Sequence, residues 1–262
     1  MDVGIYEVII LFLIGFAGSF LSGMMGVGGA IILYPLVLYV PPLLGAAAFT
    51  PHEVSGITAV QVLFATLGGI WAYRKSGYLN KRLIVVMGAA ILTGSLIGGF
   101  GSRFLDGEGI NMMYGGLAVM AAIMMLIPVK GNSGLAEDVK EVKFNAGLAA
   151  LLALLVGAAS GIVGAGGSFL LIPILLVVLK LPFRIVIASS MAITFISSLG
   201  VTGGKLAAGQ VVLLPALVMV AAALIASPLG VKVGQRMRTS VLKWMLAVMI
   251  FAVAVKMGLE LL

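Results

Sequence analysis

Long apolar runs alternate with short polar segments through the first half of the chain. The first run covers about residues 5–40, and a second begins after Pro51 and reaches Tyr73. Two more follow, over about residues 83–104 and then up to Pro128. An α-helix needs about 20 mostly apolar residues to cross the hydrocarbon core of a bilayer. The pattern therefore predicts membrane-spanning helices joined by short loops.

The second half of the chain repeats this order of runs. A long run covers about residues 144–179, and three more follow before the C-terminus. Residues 130–143 are polar and mixed in charge, which is typical of a linker. We therefore predict one transmembrane domain with a first repeat at residues 1–129, a linker at 130–143 and a second repeat at 144–262.

One sequence pattern occurs in both long runs. Ser22–Pro35 reads SGMMGVGGAIILYP, and Ser160–Pro173 reads SGIVGAGGSFLLIP. The serine, the glycines and the final proline of the first copy each have a counterpart in the second copy. The distance along the chain is the same for every pair as for Ser22 and Ser160. A coincidence of this length is improbable even in a glycine-rich chain, so the pattern indicates an internal duplication.

Each copy of this pattern predicts a broken helix. A straight helix over about 35 residues would be about 50 Å long, well beyond the about 30 Å hydrocarbon core. The clusters Gly23–Gly29 and Gly161–Gly167 fall near the middle of the two long runs. Irregular backbone at membrane depth is tolerated only where it is buried in protein or lines a cavity. Matching breaks in two halves are typical of the binding site of a secondary transporter.

Composition places the chain among membrane proteins. It is 62% hydrophobic and 10% charged, with a mean hydropathy of +1.25, whereas soluble domains are about half apolar and about a quarter charged. The fold class that follows is an all-α polytopic membrane protein. The first residues include Asp2 and Glu7 but no Lys or Arg, so they do not predict a signal peptide. The absence of cysteine excludes disulfides and thiolate metal sites.

The Lys and Arg residues distinguish two topologies. If each broken run crossed the membrane once, the two sides would carry 9 and 7 of the 16 basic residues. If each run enters and returns, one side carries 13, and the other keeps Arg103, Lys205 and Lys256. Cytoplasmic loops collect basic residues, so the second topology is favoured. The same rule explains the net charge of +7, and we expect no nucleic-acid partner.

Inverted repeats follow from this second topology. Each repeat is a Gly-broken re-entrant helix hairpin, or two short full spans, plus three transmembrane helices. Such a repeat returns the chain on the opposite face, which gives the two repeats inverted topology, a recurring design of secondary transporters. We expect a multi-pass protein with both termini outside.

The two breaks also predict where an anion binds. A helix that starts near the membrane midplane presents unpaired N–H groups with partial positive charge, and such an end binds sulfate, phosphate or carboxylate. The alternative is that the glycines only allow close packing of helices. The candidate substrate-binding residues of the breaks are Ser22, Gly23, Gly26, Gly28, Gly29, Ser160, Gly161, Gly164, Gly166, Gly167 and Ser168.

Polar residues in the neighbouring runs add further candidates. Gln61 and Thr194 lie in the runs that follow the two hairpins, and we expect them to flank the site, although Ser and Thr often bond their own helix carbonyls. His52 and Glu53 are candidates for proton coupling, or they cap a helix start. Lys205 and Arg103 lie on the side with few basic residues. Either could attract an anion at the outer mouth, but an ordinary solvated loop charge is the favoured interpretation for both.

Enzyme and cofactor signals are weak. GIVGAGGS lacks the lysine of a phosphate-binding loop, and the single histidine, His52, leaves no base for a serine hydrolase. Cys, His and carboxylates do not cluster as they do in a metal site. We therefore expect no catalytic residue, no metal site and no cofactor.

The duplicated S-G-x-x-G-x-G-G-x5-P pattern resembles that of the TauE/SafE family of sulfite and organosulfonate exporters, over both halves of the chain. The resemblance implies export of a small sulfur-containing anion across the cytoplasmic (inner) membrane. With the two breaks it favours a secondary transporter that works by alternating access around a midplane site. An anion channel and a non-transporting membrane scaffold are the alternatives. The partners expected are the anion, the lipid bilayer and possible coupling ions.

Overall fold

The protein is all-helical in the computed structural model, which describes residues 4–74, 76–127 and 144–260. These residues form no strand, which confirms the predicted fold class. The helices are α1 (Ile5–Met25), α2 (Ala30–Leu43), α3 (Pro51–Tyr73), α4 (Lys81–Gly101), α5 (Gly107–Leu126), α6 (Ala146–Val163), α7 (Ser168–Pro173), α8 (Phe183–Ala207), α9 (Leu213–Arg236) and α10 (Thr239–Glu260). A 3-10 turn, Ser102–Phe104, follows α4, and a π-helical turn, Ile174–Val178, continues α7.

Eight of these helices are long and apolar enough to cross a membrane. The short elements are α2 and α7, and each follows one of the predicted breaks. Polar side chains cap the start of α3, α4, α5 and α6. Asn80 accepts a hydrogen bond from the backbone N–H of Leu83 at the start of α4, and Asp106 accepts one from Gly109 at the start of α5. Such caps satisfy N–H groups that the helix itself leaves unpaired.

The first broken run folds back on itself. The Tyr6 hydroxyl donates to the Leu44 carbonyl at 3.0 Å, and the Ala47 N–H donates to the Glu7 carboxylate at 3.0 Å. The loop after α2 therefore lies beside the start of α1. The two helices form a hairpin, as the charge distribution predicts, rather than one interrupted crossing.

The second broken run also begins and ends at one end of the molecule. Arg82, at the start of α4, lies over the ring of Phe144, which precedes α6. At the other end of the run, Leu176 and Val177 share a pocket with Lys243 at the start of α10. These contacts place both ends of the run with the start of α4 and α10.

Basic residues collect at the same end. The Arg184 guanidinium at the start of α8 donates to the carbonyls of Gln235 and Met237 near the end of α9, at 3.0 and 2.9 Å. Lys75 and the linker residues Lys130, Lys140 and Lys143 lie outside the described residues. The described basic residues of this end are Arg74, Lys81, Arg82, Lys180, Arg184, Lys232, Arg236, Arg238 and Lys243. That this end faces the cytoplasm, with both termini outside, stays a prediction.

Equivalent positions of the two halves exchange contacts. The Ser95 hydroxyl on α4 donates to the Ser197 carbonyl on α8 at 2.9 Å, and the Ser227 hydroxyl on α9 donates to the Ala65 carbonyl on α3 at 2.6 Å. The interval along the chain from Ser95 to Ser227 equals that from Ala65 to Ser197. A two-fold relation generates such reciprocal pairs. These two serines therefore form hydrogen bonds between the halves.

Candidate functional site

The two helix breaks have matching backbone conformations. In the first, Gly26, Gly28 and Gly29 have φ values of +74°, +71° and +96°. In the second, the equivalent Gly164, Gly166 and Gly167 have φ values of +82°, +61° and +77°. Residues with a side chain rarely adopt this left-handed conformation. The backbone therefore requires glycine at these positions, whatever binds there.

Four of the glycines also allow close backbone packing. A methyl group at Gly26 would lie 2.8 Å from the Ile187 carbonyl on α8, and one at Gly164 would overlap the Ser55 carbonyl on α3. Gly23 and Gly161 meet the backbone of Ser227 and Ser95 in the same way. The packing alternative thus accounts for Gly23, Gly26, Gly161 and Gly164. It does not account for the glycines that follow them in each break.

The later glycines of each break lie beside both apolar and hydroxyl-bearing side chains. A methyl group at Gly166 would lie 3.2 Å from the Thr194 methyl and 3.3 Å from the Val62 Cγ1 atom. One at Gly29 would lie 2.8 Å from the Leu33 Cδ1 atom and 3.4 Å from the Ser22 hydroxyl. The second break thus lies beside Thr194, while a role of Thr194 in binding stays a prediction. Gly167 lies beside Val156, Ile91 and Ser160.

Four buried polar atoms on α1, α3 and α8, the helices that carry or flank the breaks, lack a hydrogen-bond partner. They are the hydroxyls of Ser22, Thr194 and Ser197 and the Gln61 Oε1 atom. None of the four side chains is more than 1% exposed. Buried polar groups are nearly always hydrogen-bonded, so unpartnered ones need an explanation such as a ligand or water. The Gln235 Nε2 atom is also unpartnered, but it lies near the end of α9, at the basic end.

Gln61 can present either end of its amide to the site. Its Nε2 atom lies 2.5 Å from the Ser19 hydroxyl on α1. A hydroxyl both donates and accepts, so a flip that exchanges the two amide atoms keeps this bond with Oε1 as the acceptor. The flip frees an N–H₂ group with two donors. Ser19 thus acts as the orienting partner, and sequence reasoning missed it because it lies one helical turn before the motif.

The two motif serines, Ser22 and Ser160, differ in their hydrogen bonding. Ser160 donates to the Gly157 carbonyl of its own helix at 3.3 Å, whereas the Ser22 hydroxyl has no partner. The Ser168 side chain lies outside the described side chains. Ser197, which joins the unpartnered group, is one of several serines in its run, and the sequence alone does not distinguish it from the others.

His52 and Glu53 occupy the start of α3. Glu53 forms a capping box with Thr50: its carboxylate accepts from the Thr50 N–H at 2.8 Å, and the Thr50 hydroxyl accepts from the Glu53 N–H at 3.3 Å. This is the helix-capping alternative of the sequence analysis. His52 Nδ1 lies 2.9 Å from Gln210 Nε2, and a coupling role for His52 stays a prediction.

The burial of Lys205 differs from the sequence prediction. The sequence predicts a solvated lysine in a turn, but α8 continues to Ala207 and the lysine is 0% exposed. The preceding Gly204 packs against the backbone of Gly99 and Phe100 on α4, and this close approach covers the lysine. Its Nζ atom bonds four oxygen atoms of neighbouring elements. Among the described residues, His, Cys, Asp and Glu form no group of three or more that could hold a metal ion.

Comparison with known proteins agrees with this architecture. The model of the family described as sulfite exporter TauE/SafE matches residues 11–257. The probable membrane transporter protein YunE of Bacillus subtilis is 21% identical over 96% of this chain and 97% of its own length. A probable membrane transporter protein of Xylella fastidiosa is 30% identical over 68% of this chain and 65% of its own length.

A third relative is archaeal. The probable membrane transporter protein MJ0441 of Methanocaldococcus jannaschii is 24% identical over 91% of this chain and 90% of its own length. No solved structure matches the chain. The family model covers both helix breaks and all eight candidate spans in whole or in part. The chain therefore belongs to the TauE/SafE family and is a multi-pass membrane transporter.

Proposed function

We propose that the protein is a secondary transporter of a small sulfur oxyanion, in the sulfite or organosulfonate class, and that it exports this anion across the cytoplasmic membrane. The observation that carries the proposal is the set of buried, unpartnered polar atoms on the helices that carry or flank the glycine breaks: Ser22 on α1, Gln61 on α3, and Thr194 and Ser197 on α8. The family description supports the substrate class and the direction.

The chemistry of these side chains suits an oxyanion. Three hydroxyls and a flipped Gln61 amide offer neutral hydrogen-bond donors. Gly29, at the start of α2, adds a helix N-terminus without a side chain in front of it. A sulfite or sulfonate group presents several acceptor oxygens to such donors. Binding by neutral donors is weaker than binding by an ion pair, and a transporter must release its substrate.

Alternating access follows from the burial of the site. Thr194, Gln61 and Ser197 are 0% exposed, so an anion reaches them only if helices move. The hairpins are the natural moving parts, because each ends in a short helix after a break. In the second hairpin, α7 keeps only six α-helical residues before the π-helical turn at Ile174–Val178. Such irregular helices are frequent at functional sites.

Counterflow of radiolabelled sulfite in liposomes tests the proposal. The transporter predicts saturable uptake that rises when the liposomes are preloaded with unlabelled sulfite, whereas a channel gives no such stimulation and a scaffold gives no flux. Thr194→Val removes the unpartnered hydroxyl at nearly constant volume and should abolish most of the counterflow. Thr66→Val is the matched control, since Thr66 is equally buried but donates to the Val62 carbonyl of its own helix at 2.7 Å. Equal flux in both variants contradicts the proposed site.

A further inference from the structure

Lys205 is the one charged side chain that is fully buried among the side chains that the structure describes. It lies in the last turn of α8 and far from the basic end of the molecule. A charge within a membrane protein costs free energy unless it is paired, and such residues are mostly kept for function. Packing alone therefore does not account for a lysine at this position.

Four neutral oxygen atoms hold the Lys205 ammonium. It donates to the hydroxyls of Ser55 on α3 and Ser102 after α4, both at 2.8 Å. It also reaches the Ile162 carbonyl near the end of α6 at 2.7 Å and the Gln210 Oε1 atom at 2.9 Å. The ammonium has three N–H donors for these four acceptors. The contacts saturate its hydrogen bonding but supply no negative charge.

The lysine lies directly beside the second helix break. Ile162 is two residues before Gly164, and Gly164 packs against the backbone of Ser55. Any movement of the α6–α7 hairpin away from α3 would separate the Ile162 carbonyl from the Ser55 hydroxyl. The ammonium would then lose acceptors at the place where the hairpin opens a path. An anion is the ligand that supplies both the lost acceptors and the missing charge.

We propose that Lys205 is a gating cation of the transport path. Neutral oxygens hold its ammonium while the second hairpin is packed in place, and the oxygens of the transported anion replace them when the hairpin moves. The inference rests on the transport function proposed above and adds the residue that favours anions over neutral solutes. Lys205 follows Tyr73 at the same interval along the chain at which Ser227 follows Ser95, so Tyr73 is the equivalent residue of the first half. The charge of Lys205 therefore acts at the second hairpin alone.

The test compares the full-length wild type with Lys205→Gln, Gln210→Glu and Arg103→Gln, by sulfite-dependent thermal stabilisation in detergent and by sulfite counterflow in liposomes. Lys205→Gln should weaken sulfite binding about tenfold or more, because it removes the charge that meets the anion. Arg103→Gln removes an exposed cation of the same end and should change binding by less than about twofold.

Gln210→Glu tests the role of the Lys205 charge by neutralising it within the protein, whereas Lys205→Gln removes it. It places a carboxylate on the ammonium at nearly constant shape. We expect a higher melting temperature without anion and weaker sulfite binding, because the new carboxylate competes with the substrate. This variant also decides the question if Lys205→Gln does not fold.

Wild-type affinity and counterflow in Lys205→Gln would overturn the gating role and leave the transport proposal standing. If Lys205→Gln does not fold, wild-type sulfite affinity in Gln210→Glu has the same meaning. If the wild type itself shows neither stabilisation nor counterflow with sulfite, sulfoacetate or taurine, both proposals fall together.

Discussion

The two halves of the molecule have the same backbone conformation at their helix breaks, but they differ in the polar side chains near these breaks. Both contain a hairpin whose break has three left-handed glycines at equivalent positions. Both pack that break against the start of a long helix of the other half, at Ile187 for Gly26 and at Ser55 for Gly164. The reciprocal hydrogen bonds of Ser95 and Ser227 extend the same relation away from the breaks. The scaffold is thus present twice.

Apart from the motif serines, several polar side chains on the helices that flank the breaks occur in one half alone. At four pairs of equivalent positions, one half has a polar or charged residue that carries the proposed site, and the other half has a different type of residue. The pairs, all separated by the interval from Ser95 to Ser227, are Gln61 and Ile193, Val62 and Thr194, Ala65 and Ser197, and Tyr73 and Lys205. The uncharged polar partner comes from α3 in one pair and from α8 in two others. A duplicated scaffold with this distribution favours one composite site between the halves over two equivalent sites.

The largest effect is expected where the halves agree. Gly26→Ala and Gly164→Ala should each lower the free energy of unfolding by about 3 kcal/mol or more, because both overlap backbone and force a left-handed conformation. Gly77→Ala is the control: its φ is +75° but nothing lies within 4 Å of the added methyl, so about 1 kcal/mol of backbone strain is expected. Thermal unfolding in detergent measures all three. A mild effect in only one of the two breaks would show that the halves are not equivalent.

The pair Val62 and Thr194 sharpens the comparison. Thr194→Val should weaken sulfite binding about tenfold, which corresponds to about 1.4 kcal/mol. Adding Val62→Thr moves the hydroxyl to the equivalent position of the first half. If the pair lies between the halves, the double variant should recover a large part of the affinity. Thermal stabilisation by sulfite measures this, and a double variant no better than Thr194→Val would place the site on one side only.

Lys205 carries a buried charge that the equivalent Tyr73 lacks, and this charge affects the free energy of unfolding. Replacing Lys205 by an apolar residue removes the cost of burying a charge, but it also leaves the oxygen atoms that accept from its ammonium without that donor, which costs about 1–3 kcal/mol. Without anion, we therefore expect the free energy of unfolding of Lys205→Met to stay within about 2 kcal/mol of the wild-type value. Thermal unfolding in detergent measures the difference. A loss of more than about 2 kcal/mol would indicate that the lysine is kept for stability instead of for function.

The smallest effect concerns the two motif serines. Ser22→Ala should weaken sulfite binding about three- to tenfold, because it removes an unpartnered donor. Ser160→Ala should change it less than about twofold, since that hydroxyl already donates to the Gly157 carbonyl. Binding isotherms of the two variants, recorded side by side, check the difference. The reverse order would exchange the roles of the two breaks.

Much of the fold could be predicted because its signals are local. A left-handed backbone requires glycine, so the breaks are visible at Gly26–Gly29 and Gly164–Gly167 in the sequence itself. The hairpin topology follows from the loops that carry Lys and Arg, as Arg82 and Arg184 illustrate. The capping box at Thr50 and Glu53 is likewise a local pattern.

The chemistry of the site was harder to predict because it depends on distant packing. Lys205 is buried among side chains and carbonyls of α3, α6 and the turn after α4, and no pattern around residue 205 reports on these elements. The free hydroxyls of Ser22 and Ser197 are also a tertiary property, since a helical serine can equally bond its own backbone. Sequence identifies the serines, and only the packing shows which of them are unpartnered.

Equilibrium binding of radiolabelled sulfite to the purified protein tests most directly whether the two halves form one composite site. We predict one anion per chain at saturation, about tenfold weaker binding in Thr194→Val and unchanged affinity in Thr66→Val. Two anions per chain with equal affinity, or binding that Thr194→Val leaves unchanged, would contradict the composite site.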